Sequence, residues 1–133
     1  IGELDGVVGS AIFLQNPWNV HNGNTDSPLS QFNLASIVDV YAPAGDVKEI
    51  LISAHLETPP VMNAEVKIKY YLPLAPPIAE KTILDARSFG PDKEAETTLV
   101  WLPVKNNAFS YSCEMFGNDP SQNCKIDILG YRY

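Results

Sequence analysis

The sequence predicts an all-β fold: a single-domain antiparallel β-sandwich, jelly-roll-like, over residues 1–133. About seven or eight strands are expected. Three observations predict this. Apolar residues recur at every second position in several short stretches, and Gly, Pro, Asn and Asp separate those stretches. Eleven prolines disfavour long helices, because proline removes a backbone donor and clashes with the preceding turn. The last 25 residues, FSYSCEMFGNDPSQNCKIDILGYRY, form two alternating runs around a polar turn.

Residues 1–10 are Gly-rich and weakly patterned: an arm, a linker remnant or an edge strand. The run AIFL at 11–14 is short and apolar. Residues 15–31, QNPWNVHNGNTDSPLSQ, read as the longest polar loop. Residues 32–41 read as a strand that the turn signal APAGD ends. In 47–56, Ile50, Ile52, Ala54 and Leu56 share one face, and Glu49, Ser53 and His55 the other. Side chains alternate faces along a strand, so this is a half-buried strand. Residues 64–72 alternate most clearly, with Val66, Ile68, Tyr70 and Leu72 inward and Glu65, Lys67 and Lys69 outward.

Residues 78–87 fit one helical turn or a strand. Residues 97–104, TTLVWLPV, are apolar on both parities. That predicts a central strand covered on both sides, or one lying at an interface. Pro103 places its later part at an edge or bulge.

In the terminal segment, Phe109, Tyr111 and Cys113 share one parity; Cys124, Ile126 and Ile128 share one parity on the return strand. Pairing of Cys113 with Cys124 would bring both apolar sets to one side. The expectation is a disulfide-closed hairpin, stabilised by about 3 kcal/mol through loop closure. Such a bridge implies an oxidising compartment, hence a secreted or surface-displayed protein.

Net charge is −7, and no two basic residues are adjacent. An acidic surface without a basic patch disfavours nucleic acid and anionic lipid. No apolar stretch approaches the roughly 20 residues that span a bilayer, so membrane insertion is not expected. Residue 1 is Ile, consistent with a mature form or with a piece of a longer chain.

Residues 16–26, NPWNVHNGNTD, form the candidate site. Trp18 offers an aromatic face for the apolar side of a pyranose, and His21, Asn22, Asn24 and Asp26 offer hydrogen bonds to its hydroxyls. The bland alternative makes Trp18 a core residue and Asn22-Gly23-Asn24 a turn. Oxygen ligands here could hold Ca²⁺, although the spacing is not that of an EF-hand loop; no metal or cofactor is otherwise expected. The polar tip 117–123 is a second recognition candidate. No G-x-S-x-G elbow or phosphate-cradling Gly loop occurs, and no spacing singles out a carboxylate pair, so catalysis is not expected.

Three segments, PAGDVKEILISAHL, LVWLPVKNNAFSYSC and KIDILGYRY, resemble the C-terminal β-sandwich knobs of secreted, fibre-borne and tail-fibre-like adhesion proteins. The resemblance implies trimerisation, glycan recognition or both. The expected function is non-catalytic binding of a glycan or surface glycoprotein through end loops. The alternative is a structural knob that trimerises or docks onto a larger filament. Outward apolar residues within 99–104 support that alternative.

Overall fold

A computed structural model of the chain describes residues 11–33, 47–71, 80–104, 108–117 and 119–132. Expectations for residues 1–10 and 34–46 lie outside them. The described residues form eight strands: β1 (Ala11–Gly23), β2 (Ser27–Asn33), β3 (Glu49–Glu57), β4 (Met62–Tyr71), β5 (Glu80–Phe89), β6 (Ala95–Pro103), β7 (Ala108–Glu114) and β8 (Asn123–Arg132). They form two four-stranded sheets, ordered β1-β8-β3-β6 and β2-β7-β4-β5. All pairings are antiparallel. Among the described strands, β4 and β5 are the only two consecutive in sequence that pair with each other; the other consecutive strands lie in different sheets. This is the jelly-roll arrangement of an eight-stranded double sheet.

Alternation explains the core. β3 buries Ile50, Ile52, Ala54 and Leu56; β4 buries Val66, Ile68 and Tyr70; β8 buries Ile126 and Ile128. These rows face one another between the sheets and form one cluster with Leu84, Leu102 and Phe109. Each buried Ile, Leu or Phe contributes about 1.5–3 kcal/mol relative to exposure. The ring of Tyr70 meets that of Phe109 edge-on, with centroids 5.7 Å apart.

Four expectations need correction. The terminal cysteines do not close a paired hairpin, because β7 and β8 belong to different sheets. Their matched parity has another cause: both strands send alternate side chains into the shared interior. Cys113 and Cys124 are buried free thiols in that interior. Second, β6 is an edge strand, not a central one. Its two-sided apolar character arises because Leu102 is buried while Leu99 stands in solvent at 62% exposure.

Third, residues 15–31 are not one long loop: 15–23 continue β1 and 27–31 belong to β2. The pairing of β1 with β8 is irregular between Phe13 and Trp18 and again between Asn19 and His21. Such bulges let an edge strand carry Pro17 and polar residues. Fourth, residues 80–89 are strand, so the helical alternative for 78–87 does not hold there.

Candidate functional site

The irregularity between Asn19 and His21 resets which side chains of β1 face outward. Trp18 sits opposite Ile128, and His21 opposite Ile126, so both stand beside inward-facing residues of β8. Trp18 is half-buried and packs against the core. His21 points inward beside Tyr111, with ring centroids 5.7 Å apart. Its imidazole pKa is raised, chiefly by its interaction with the Cys113 thiol. The Cys113 thiol is in turn pushed down to about 6, first by a hydrogen bond from Cys124 and against the effect of burial. Cys124, which keeps its proton, is pushed up by that same interaction and by burial.

Asn22 emerges on the outer side, and a groove opens at this end of the first sheet. Asn22, Gly23 and Asn24 form one wall, residues 120–123 the next, and Glu57 with Lys93 the third; the volume is about 490 Å³. The two polar segments singled out in the sequence, 16–26 and 117–123, therefore meet. Cross-strand register brings them together: Gly23 lies opposite Cys124, Leu56 opposite Cys124 on its other side, and Asn123 opposite Glu57.

Gln122 joins the two segments, and nothing in the sequence distinguishes it. Its side chain is 1% exposed. Its Nε2 donates to the backbone carbonyl of Asn24 at 2.9 Å and to that of Gly117 at 3.1 Å. Its Oε1 accepts from the Phe116 N–H at 3.1 Å. A buried amide so bonded fixes both loops, whereas its loss would strand three backbone groups. The Asp119 carboxylate accepts from the Ser121 N–H at 2.8 Å and from its hydroxyl, which lowers the Asp119 pKa. Asp26, expected to bind sugar, instead accepts the Met115 N–H and anchors the segment after β7.

The third wall is an ion pair. Glu57 Oε1 accepts from Lys93 Nζ at 3.0 Å, and Glu57 Oε2 lies 3.1 Å from His55 Nε2. His55 Nδ1 is 2.7 Å from Thr97 Oγ1. Hydrogen bonds from His55 and then Lys93 hold the Glu57 carboxyl below its ordinary range. Alternation placed His55 and Glu57 on one outward face; only the three-dimensional pairing adds Lys93. Of the five expected sugar ligands, Asn22 and Asn24 line the groove, whereas Trp18, His21 and Asp26 do not. Among the described residues, no group of three or more His, Cys, Asp or Glu side chains is placed to hold a metal ion.

The opposite end of the same sheet has a different character. Register aligns Phe13 with Gly130, Gly130 with Leu51, and Leu51 with Trp101, so one rung crosses all four strands. Phe13 is 65% exposed and Leu99, one position along, 62%. The rings of Phe13 and Trp101 meet edge-on with centroids 6.3 Å apart. Their meeting depends on Gly130. A Cβ there would lie 2.6 Å from the Ile12 carbonyl oxygen and 3.2 Å from Phe13 Cδ1. Arg132 places its guanidinium 4.1 Å from the Trp101 ring centroid, while its Nε donates to Glu49 at 2.5 Å. Trp101 is half-buried, and a cation over an aromatic face near the surface contributes about 0.5–1 kcal/mol.

No protein-family model and no curated protein matches this chain. The chemistry of both regions therefore rests on their own residues. One is a polar groove built from amides and an ion pair. The other is an aromatic and aliphatic strip on a sheet face.

Proposed function

We propose that this chain is a non-catalytic assembly knob that associates with copies of itself through the outer face of its first sheet. The observation that carries this reading is the rung of Phe13, Leu51 and Trp101 with Leu99 beside it. The outer face of a solvated antiparallel sheet is ordinarily polar. A contiguous aromatic and aliphatic strip there is the usual mark of an association surface. Arg132, paired to Glu49 and lying on Trp101, gives the strip a polar border like the rim of a protein interface.

A second copy suits this surface better than nucleic acid or an anionic membrane, because the protein carries a net charge of −7. Closed assemblies of identical chains are the commonest oligomers. The resemblance of KIDILGYRY and the two earlier segments to fibre-borne knobs favours three copies.

Leu99→Lys tests the reading without disturbing the core, since the side chain is mostly exposed. Sedimentation velocity is expected to show a trimer for the wild-type chain and a folded monomer for the variant. A variant that sediments like the wild type would remove this face from the assembly.

A further inference from the structure

We infer that the groove at the end of the first sheet binds a neutral hexose unit of a glycan through amide side chains rather than through an aromatic platform. Its volume, about 490 Å³, lies within the range of small-molecule sites and holds one or two sugar rings. The side-chain amides of Asn22 and Asn123 make no hydrogen bond to other described residues, and both line the groove. Each planar amide offers an acceptor and two donors side by side. That pattern matches adjacent hydroxyls on a sugar ring, each of which both donates and accepts.

Charge narrows the ligand class. The groove carries one cation and one anion, Lys93 and Glu57, and they are joined at 3.0 Å. An anionic ligand would meet a lysine already neutralised, and a cationic ligand a carboxylate already shared by Lys93 and His55. A neutral polyol uses both, because the carboxylate oxygens retain free lone pairs and the ammonium keeps further donors. Rigidity favours binding as well: Gln122 fixes the backbone of both walls before a ligand arrives, so little ordering entropy is lost.

Trp18 lies against the core, and among the described residues no aromatic side chain lines the groove. Binding therefore rests on hydrogen bonds, and a single sugar is held weakly. Several copies on one assembly would raise the avidity without new contacts.

The test is a ¹⁵N–¹H NMR titration of the full chain with the methyl glycosides of mannose, galactose and glucose. An array of neutral and sialylated oligosaccharides accompanies it. The expected result is saturable shifts, with at least one glycoside, confined to residues 22–24, 57, 93 and 120–123. Asn22→Ala and Asn123→Ala should each weaken binding about tenfold, the size of one lost hydrogen-bonded contact. Their spectra report at once whether the fold is intact. The inference is overturned if no glycoside gives a saturable shift and the array is blank. It is overturned equally if both variants bind as tightly as the wild type, or if only sialylated glycans bind. None of these outcomes depends on oligomeric state, so failure here is distinguishable from failure of the assembly reading.

Discussion

On the outer face of the second sheet the charged side chains Glu65, Lys67 and Lys69 of β4 all find partners, with Met62 and Phe89 exposed only at one end; on the outer face of the first an apolar rung of Phe13, Leu51 and Trp101 crosses all four strands with Leu99 beside it. Lys69 bridges Glu80 at 3.1 Å and Glu114 at 3.0 Å, tying β4 to both of its neighbours. Glu65 lies 3.4 Å from Arg87 and 4.0 Å from Lys67. The Tyr71 hydroxyl donates to Glu80 at 3.2 Å and lies 3.3 Å from the Ser112 hydroxyl. This lattice completes itself within one chain. The strip of Phe13, Leu51, Leu99 and Trp101 has no such lattice; in the proposed assembly a second copy would cover it. Both sheets fill the same core. Their outer faces differ in that one carries ion pairs tying β4 to both of its neighbours and the other an apolar rung across four strands.

Opposite charge placements on the two faces give the largest predicted contrast. Leu99→Lys should abolish association, whereas Glu80→Lys on the second sheet should leave the mass of the assembly unchanged. Light scattering at matched concentrations compares the two directly. If both variants dissociate, the contrast between faces is wrong.

Gly130→Ala is the next largest effect. The added methyl has no space against the Ile12 carbonyl, so β1 must shift and the rung must open. Overpacking of this kind costs about 1–3 kcal/mol. Thermal unfolding should show the loss, and fluorescence of Trp101 should report the displacement of Phe13.

Acid gives the smallest effect. The carboxyl pKa of Glu57 is lowered by His55 and Lys93, and that of Glu80 by Lys69 and Tyr71. A carboxyl whose folded pKa is depressed contributes stability above its unfolded pKa and loses it as pH falls through the folded value. Stability should therefore fall below the ordinary carboxylate range. The decline should be shallow, since solvent screens exposed ion pairs and each adds little to stability. A steep loss in a pH series of denaturant melts would mean that these contacts are more buried than the fold implies.

The sandwich was legible because β3 and β4 bury every second residue, and that period survives into the structure without interruption. β1 was not legible, because its two irregularities break the period and Pro17 and five polar residues occupy its length. The same break explains why Trp18, His21 and Asn22 do not act together: a bulge changes which side each one faces. Leu99 and Trp101 were visible as apolar residues on the wrong parity. That they join Phe13 and Leu51 across three other strands is a fact of register, which no local pattern carries. Matched parity at Cys113 and Cys124 correctly marked a shared interior. It could not distinguish strands paired side by side from strands facing each other across a core. Gln122 lay within the polar tip read as a second recognition candidate, and only the meeting of two distant loops buries it.

Sedimentation equilibrium of the unmodified chain at low micromolar concentration tests the central claim most directly. The proposed knob assembly predicts the mass of three chains, unchanged on dilution through that range. A mass of one chain, 14.6 kDa, would contradict it.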